Sequence, residues 1–439
     1  MLLALGAWLA TLGPIRGLPL FGYMSAVTLV FGASFLVPAV LYLASHALER
    51  PVRRLLDVEY WLAVNNLSAA VPRLSISVAA LAVSLSMMVA IAIMIGSFRE
   101  TVVYWVTQTL QADLFISPGS GHRAGFDESL SDEVVRQVRA SPDVEAVDAY
   151  RGLEVPYGDT GIRVGGRDLD SVLDHGTILF KTPADGRGAV RAAIGQDAVL
   201  ASESFSLKHH LQPGDDVSIA TANGPARFRI AAVYYDYSSD RGVLMMDRAT
   251  FERHYGVHGP LNLSVYLRKG IDPEQARERL LASIGEAHQV LINTNRSLRT
   301  EVLRIFDSTF AITYALELIA IAVAILGVSG TLLTLILERE REFRILRLVG
   351  TARRQVLRMV VGEAVLIGAI SQAIGLVVGL ALSTVLIYVI NVQSFGWTIQ
   401  FHLPIAFLAQ SSLLMILSTA IAGVYPARRA VRLTVGRTE

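Results

Sequence analysis

Residues 74–98 read LSISVAALAVSLSMMVAIAIMIGSF, a stretch without Asp, Glu, Lys or Arg. A helix rises about 1.5 Å per residue and the hydrocarbon core of a bilayer is about 30 Å thick, so roughly 20 apolar residues cross it. This stretch therefore predicts a membrane-spanning helix. Uncharged apolar blocks also occupy 17–45 and 318–337, and no charged residue occurs between Glu363 and Arg428.

The uncharged run before Arg428 is long enough for two spans. The polar turn from Asn391 to Gly396, together with Pro404, interrupts it and predicts two helices joined outside the membrane. The opening residues Met1–Leu12 are apolar but too short to cross comfortably, and a Gly-Pro pair ends them. The sequence thus predicts a membrane α-helical bundle of about 5–6 spans.

The composition excludes several classes of protein. With 439 residues, 52% of them hydrophobic and 18% charged, the chain has more apolar surface than a soluble core can hide. A net charge of +1 gives no global field for binding nucleic acid. The absence of cysteine excludes disulfides, thiolate metal sites and cysteine nucleophiles. No signal peptide is evident, so the first spans are expected to act as the insertion signal.

Arginine is concentrated in three loops that flank the predicted spans. Short cytoplasmic loops are enriched in Lys and Arg, so these loops are predicted to be cytoplasmic. By alternation, residues 99–307 lie on the other side. We expect a multi-pass protein of the bacterial cytoplasmic (inner) membrane with a large extracytoplasmic domain. The arginines are Arg50, Arg53, Arg54 and Arg73; Arg339, Arg341, Arg344, Arg347, Arg353 and Arg354; and Arg428, Arg429, Arg432 and Arg437.

The region 99–307 has the mixed charge and turn residues of a folded domain. Pro213-Gly214 and Asn223-Gly224 predict turns. Helical patterns at 100–110 and 299–306 continue the flanking spans and predict a stalk. The expected fold is an extracytoplasmic α+β domain inserted between spans. Its β-rich stretches are 112–116, 199–201, 216–220, 228–234, 242–246 and 261–267, and its helices are 131–140 and 273–284, capped by Ser131 and Asp272.

No motif assigns a catalytic or metal site. The Walker A pattern GxxxxGK[ST] does not occur, and no phosphate-binding loop surrounds Gly165-Gly166. His254 and His258 have the spacing of helical metal ligands, but Gly256 and Gly259 indicate a loop. No GxSxG motif is present. We therefore predict no metal ligand and no catalytic residue.

Two carboxylates lie in or near predicted spans. Glu317 falls early in the span predicted at 308–337, where a carboxylate is costly and is therefore a candidate intramembrane functional group. It can equally be hydrated at the outer interface or bonded to a neighbouring helix, and both interpretations stay open. Glu363 is expected at the cytoplasmic interface.

Three glycines predict close helix packing. Gly375 and Gly379 form a GxxxG motif, and Gly368 lies on nearly the same helical face. Small residues in such a stripe let a second helix approach closely. The neighbouring helix can belong to the same chain or to a second subunit.

The segment 338–357, EREREFRILRLVGTARRQVL, is amphipathic. Phe343, Leu346 and Leu348-Val349 place apolar side chains among charges, and Gly350 predicts a break before a second helix. We expect a short helix on the cytoplasmic face of the membrane. It can anchor the chain to anionic lipid, or it can fit a groove in a soluble partner.

This segment resembles the E-x-x-x-L-R-x-x-G-x-x-R pattern of the FtsX-like (MacB-type) ABC transporter permeases. The matching residues are Glu342, Leu346, Arg347, Gly350, Ala352 and Arg353. Asn66-Leu67, Pro72-Arg73 and Pro426-Ala427-Arg428 resemble the family too, and residues 201–268 look like its periplasmic core domain. Leu74-Ser75 departs from the family, which often has a second basic residue and Thr there.

Residues 1–46 resemble the last hairpin of a preceding repeat, so the chain is similar to the C-terminal half of a two-repeat permease. With this resemblance the segments are assigned as follows. They are a membrane hairpin with a short first span (1–46), a cytoplasmic or interfacial elbow (47–73), a span (74–98), the extracytoplasmic domain with its stalk (99–307), a span (308–337), a cytoplasmic coupling helix (338–358), a span (359–390), an outer turn (391–403), a span (404–426) and a cytoplasmic tail (427–439).

The resemblance implies the permease subunit of an ABC transporter, not an enzyme itself, that moves its extracytoplasmic domain to export or extract an amphipathic, lipid or lipoprotein substrate. Its expected partners are a separate ABC ATPase, which would hold ATP and Mg²⁺, a second permease unit formed by the same chain or a first-half chain, and the lipid bilayer. No cofactor in this chain and no nucleic acid are expected. The implied ATPase-coupling residues are Glu342, Phe343, Leu346, Arg347, Gly350, Ala352, Arg353 and Arg354.

The alternative function is transmembrane signalling. In that case the chain is a scaffold subunit that activates an extracytoplasmic enzyme, such as a cell-wall hydrolase, without transport. The same coupling helix serves both functions, so the sequence leaves them open.

Overall fold

The chain forms two compact units. The computed structural model describes residues 1–119 apart from 16 and 56, then 129–284, 289–305 and 348–433, together with scattered positions between 308 and 345. The first unit is Met1–Phe98, Thr309–Ser394 and Ile399–Glu439, and the second is Arg99–Ser308 with Phe395–Thr398. The second unit thus includes four residues that the sequence placed in the outer turn.

The first unit is a bundle of apolar helices. Within the described residues, four helices are long and apolar enough to cross a membrane: Leu20–Arg54, Val71–Thr109, Arg353–Phe395 and Ile405–Arg428. Most of the span predicted at 308–337 lies outside the described residues. Numbered along the chain, the helices are α1 (Leu2–Leu9), α2 (Leu20–Leu55), α3 (Val58–Ala69), α4 (Val71–Thr109), α11 (Arg353–Val385), a π-helical turn (Leu386–Asn391), α12 (Val392–Phe395) and α13 (Ile405–Leu433).

The first helices differ in length from the expected hairpin. α1 has 8 residues, too few to cross a hydrocarbon core. α2 has 36 residues and continues through Pro38 and Pro51, so the end of α2 and the whole of α3 occupy the segment expected as an elbow. α4 has 39 residues and is roughly 58 Å long, about twice the thickness of a hydrocarbon core.

The bundle packs around a shared apolar core. Leu41 of α2, Leu67 of α3, Val78 of α4, Ile367 of α11 and Met415 of α13 are almost completely buried in it. Large apolar side chains also remain exposed on the outward faces of these helices. A helix that is apolar all round needs an apolar environment on its outer face, which a bilayer supplies.

The second unit is an α+β domain. Its strands are β1 (Leu114–Pro118), β2 (Val144–Tyr157), β3 (Thr160–Arg167), β4 (Phe180–Thr182), β5 (Ala198–Ser202), β6 (Asp216–Thr221), β7 (Gly224–Tyr234), β8 (Val243–Asp247), β9 (Asn262–Leu267) and β10 (Val290–Thr294). Its helices are α5 (Asp132–Ala140), α6 (Leu169–His175), α7 (Gly186–Ala193), α8 (Glu203–His209), α9 (Arg248–Tyr255) and α10 (Pro273–Ile284).

The described strands form one mixed sheet in the order β10-β1-β9-β2-β3-β8-β5-β7-β4, with β6 paired to β7. β3 pairs with β8 and β5 with β7 in parallel, and the other pairs are antiparallel. One apolar core lies under β1, β9 and β10 against α5 and α10. Two further cores lie around β3 and β5–β8.

The helices predicted at both ends of this domain are confirmed over their described residues. α4 continues to Thr109, and residues 295–305 are helical. The two segments are bonded to each other, since Asn295 Nδ2 and Arg299 Nη2 donate to Leu110 O at 2.7 Å and 2.8 Å. The paired helical segments lie where the sequence predicts a stalk.

Most predicted secondary structure in the domain is confirmed, with one large omission. All six predicted strands are present, and α10 has the predicted bounds. Ser131 Oγ caps α5 by accepting from Val134 N at 3.4 Å. The sequence did not predict the hairpin of β2 and β3, whose second strand contains Gly165-Gly166. It also did not predict β4, β10 or the helices α6 to α9.

Candidate functional site

The cytoplasmic segment singled out by the sequence is partly described. Phe343, Leu346, Arg347 and the intramembrane candidate Glu317 lie outside the described residues. Glu342 is helical and exposed. Gly350 has a φ of +107°, a left-handed conformation that ends a helix and that other residues rarely adopt. The predicted break at this glycine is therefore confirmed.

The second helix restarts two residues later. Ala352 is the N-cap of α11, and its backbone N–H donates to Gln355 Oε1 at 2.8 Å. Alanine has no side-chain acceptor, so this is half of a capping box. Arg353 and Arg354 are the first residues of α11 and are exposed. Basic side chains in a first turn are unfavourable against the helix dipole.

Apolar side chains just before the break are exposed. Ile345 is 60% exposed, and Leu348 and Val349 are each 83% exposed. They lie between charged positions of the segment 338–357. The patch formed by Ile345, Leu348 and Val349 is called the coupling patch below.

α3 packs against the start of α11 beside this patch. Ala63 of α3 is buried with Val356, Met359 and Val360 of α11. A cleft opens between the two helices, lined by Val58, Glu59, Leu62, Thr351, Gln355, Val356 and Met359. The elbow helix and the first turns of α11 therefore share one packed surface.

A polar link joins the same two helices. Asn66 Nδ2 of α3 donates to Glu363 Oε1 of α11 at 2.6 Å. Glu363 is only 5% exposed. The sequence placed Glu363 at the cytoplasmic interface but did not predict its burial, which results from the approach of α3. A buried carboxylate is costly unless it is hydrogen-bonded, so this contact fixes where α3 meets α11.

The three glycines of α11 contact two different helices. A Cβ at Gly375 would lie 2.7 Å from Leu85 Cβ, and one at Gly379 would lie 2.6 Å from Val89 Cβ, both on α4. A Cβ at Gly368 would meet the side chain of Thr419 on α13. The close neighbours of this stripe thus lie within the chain.

The histidine pair does not form a metal site among the described residues. His254 lies in the last turn of α9, not in a loop, and its Nε2 is 2.8 Å from Asp197 Oδ1. Gly256 ends α9 in the left-handed conformation, so His258 falls beyond the helix. The helical spacing of the two histidines is therefore interrupted.

The sequence did not predict one buried acidic side chain in the second unit. Glu203, the first residue of α8, is 1% exposed in its side chain and is bonded to Lys181 and Thr398. Its neighbours along the chain are ordinary helix-start residues, so no local pattern marks it. Only the fold brings Lys181 and Thr398 to it.

Two family models match the segments in which these features lie. Residues 314–435 match the FtsX-like permease C-terminal model, and residues 74–283 match the MacB-like periplasmic core domain. The chain belongs to the FtsX-like permeases. Together with its apolar spans, the matches make it a multi-pass membrane protein with an extracytoplasmic α+β domain.

Similar curated proteins are permease components of ABC transporters. An uncharacterised ABC transporter permease of Mycobacterium tuberculosis is 31% identical over 379 residues, which are 85% of this chain and 44% of that protein. The macrolide export ATP-binding/permease protein MacB of Salmonella typhimurium is 29% identical over 39% of this chain and 26% of its own length. The pyoverdine export protein PvdT of Pseudomonas fluorescens is 24% identical over 64% of this chain and 45% of its own length. The FtsX-like chain spans less than half of each.

Two solved structures share similarity with this permease. The periplasmic region of MacB from Actinobacillus actinomycetemcomitans has 13% identity and a TM-score of 0.34, covering 45% of this chain and 95% of that one. The extracellular domain of the transporter YknZ from Gram-positive bacteria has 17% identity and a TM-score of 0.29, covering 41% and 98%.

Proposed function

We propose that this FtsX-like permease is the membrane subunit of an ABC transporter whose ATPase is a separate chain. ATP and Mg²⁺ would be bound by that ATPase. Its nucleotide-dependent closure would push on the segment 338–358 and move the extracytoplasmic domain through the bundle and the stalk. The named relatives are ABC permease components, which supports this class.

The observation that carries the proposal is the exposed coupling patch. Three large apolar side chains lie in solvent between charged residues, directly before a glycine that breaks the helix. Exposed apolar clusters with a polar rim mark protein or membrane contacts. A groove on an ATPase would cover them, with Glu342, Arg353 and Arg354 at the rim pairing with its charged residues.

The location of the patch explains how a push would travel. α11 begins three residues after Gly350 and packs against α3 through Val356, Met359 and the Asn66–Glu363 bond. Force applied at the patch therefore enters α11 and α3 together. The tight contact of Gly375 and Gly379 with α4 carries it to the helix that continues into the stalk.

The proposed substrate is amphipathic, a lipid or a lipoprotein, and is exported or extracted from the outer side. MacB and PvdT carry export in their names, which favours transport over the signalling alternative. A second permease unit, from the same chain or a first-half chain, would complete the transporter.

The test uses the full chain in nanodiscs with an ABC ATPase that copurifies with it. Leu348→Asp and Val349→Asp each place a charge in the patch, and deletion of 342–350 removes it. We expect loss of copurification and at least a ten-fold drop in permease-stimulated ATP hydrolysis, because a buried charge costs more than about 1.4 kcal/mol.

The matched control is Leu291→Asp, the same change at a half-exposed position of β10 in the extracytoplasmic domain. It should leave ATPase binding and stimulation unchanged. An intact complex with full stimulation in the patch variants would contradict the coupling role.

A further inference from the structure

Four residues of the outer turn belong to the extracytoplasmic unit. Phe395–Thr398 begins with the last residue of α12 and precedes α13; it is part of the second unit, whereas the residues on both sides belong to the membrane unit. The chain therefore passes between the units at this turn as well as at the two stalk helices. We call Phe395–Thr398 the clasp segment.

The carboxylate of Glu203 holds the clasp segment. Its Oε2 accepts from the backbone N–H of Thr398 at 3.0 Å, and its Oε1 accepts from Thr398 Oγ1 at 2.9 Å. Lys181 Nζ, on β4, donates to the same Oε1 at 2.6 Å. Hydrogen bonds to a charged group are about twice as strong as neutral ones, and this carboxylate is buried. The geometry thus resists separation of Thr398 from α8.

An aromatic group holds the other side of the segment. Tyr237 OH donates to Thr398 O at 3.0 Å, and its ring packs edge-on against Trp397 with centroids 5.8 Å apart. Burial, and then the charge of Glu203, raises the pKa of Tyr237 above its ordinary value, so the hydroxyl keeps its proton. Trp105 on the stalk end of α4 contacts the same tyrosine at 5.8 Å, also edge-on.

Gly396 lets the segment approach α8. Its φ is +75°, a conformation that favours glycine. A Cβ there would lie 3.1 Å from Ser204 O and 3.3 Å from the Lys208 side chain. Both the backbone conformation and the available space therefore require glycine at this point of the clasp segment.

We propose that the clasp segment is a second mechanical link, through which movement of α12 and α13 acts on the extracytoplasmic domain. Glu203 is its positioning residue. The inference rests on the proposed function, because it adds a path to the movement that the ATPase drives. Glu203 and Tyr237 both hydrogen-bond to the segment, and the segment is joined covalently to membrane helices. A displacement of those helices must therefore move α8 and β4 or break the Glu203 contacts.

The experiment compares Glu203→Gln, Glu203→Ala and Thr398→Val in the full chain, in nanodiscs. Hydrogen exchange of the peptide containing 395–399 reports whether the clasp is closed. We expect exchange at Thr398 to rise at least about ten-fold in Glu203→Ala, since a charge-assisted bond is lost. Glu133→Gln, which removes a charge from an exposed pair on α5, is the matched control and should change nothing there.

The second measurement adds the partner ATPase and a non-hydrolysable ATP analogue. In the natural chain the analogue should change exchange in β5, β7 and β8, and this response should be lost in Glu203→Gln and Thr398→Val with the ATPase still bound. A response of full size in variants whose clasp is open overturns the link, and so does unchanged exchange at Thr398 in Glu203→Ala. If the natural chain binds the ATPase but shows no change in exchange, the proposed function itself is contradicted. This outcome is distinguishable from failure of the clasp link, in which the natural chain responds and the variants respond equally.

Discussion

The glycines that face α4 allow a sharp test of the membrane bundle. Replacing Gly375 and Gly379 together by alanine adds two methyl groups where α11 meets α4. At Gly379 the new Cβ would lie 2.6 Å from Val89 Cβ and 2.9 Å from Ser86 O. The second contact is with backbone, so no side-chain rotation relieves it.

The magnitude follows from these distances. Bringing the Cβ at Gly379 from 2.6 Å to an ordinary 3.4 Å requires a shift of about 0.8 Å between the helices. Overpacking of this kind costs about 1–3 kcal/mol per site. Alanine returns about 0.8–1.0 kcal/mol per site through its higher helix propensity. The double variant should therefore lose a net amount of about 0–4 kcal/mol.

The assay is reversible unfolding in mixed micelles with increasing SDS, followed by circular dichroism. The matched control is Gly362→Ala, on the same helix, where the nearest atom is Tyr60 Cδ1 at 3.2 Å and the ring can turn aside. We expect the control to be neutral or slightly stabilising. Equal stability of the double variant and the control would show that α4 and α11 are not in close contact.

Three further predictions concern single contacts. Asn66→Leu removes a donor from buried Glu363 and should cost about 1–3 kcal/mol in SDS unfolding, whereas a chain that also carries Glu363→Leu should recover much of this. Burial raises the pKa of Tyr255 to about 12. The stability contributed by the protonated hydroxyl is complete below pH 10 and is lost between about pH 10 and 12, so Tyr255→Phe should reduce the pH dependence of the unfolding free energy in that window. Gly396→Ala should speed hydrogen exchange of the clasp segment. The matched control is Gly158→Ala, at a glycine that also has a positive φ but has open space around it, and the increase in its own turn should be several-fold smaller.

The sequence predicted the elements whose physical signal is local. An apolar run needs no partner to be recognised as a span, and α10 shows a helical period directly after a capping Asp272 that accepts from two backbone N–H groups. The break at Gly350 is likewise local, because it depends on one residue's backbone conformation. These features can be recognised without knowledge of any long-range contact.

The hairpin of β2 and β3 has no such local signal. β2 pairs with β3 and with β9 and has an irregular register after Val144, so its burial does not alternate simply. Gly165 and Gly166 have no β-propensity to mark a strand, and a Cβ at Gly166 would lie 2.5 Å from Phe251 Cβ. They are glycines because α9 and Tyr150 pack onto the strand, and that packing is visible only in the fold.

Buried polar groups were missed for the same reason. The position of Glu363 along its own helix gave no sign of its burial, because the covering residues come from α3. Glu203 resembles any acidic residue at a helix start, and its partner Thr398 is nearly two hundred residues away in the chain. A carboxylate's environment is set by what packs on it, which one sequence does not show.

Two buried carboxylates are hydrogen-bonded to residues far away along the chain. Asn66 reaches Glu363 across 297 positions, and Glu203 reaches Thr398 across 195. Each pair ties a segment at one end of the α11–α13 region to an element from an earlier part of the chain. In a bundle held mainly by non-directional apolar contacts, helices can slide, and a buried carboxylate with fixed donors permits little sliding without a cost. The two carboxylates therefore fix two positions in the molecule, the contact of α3 with α11 and the contact of Phe395–Thr398 with α8.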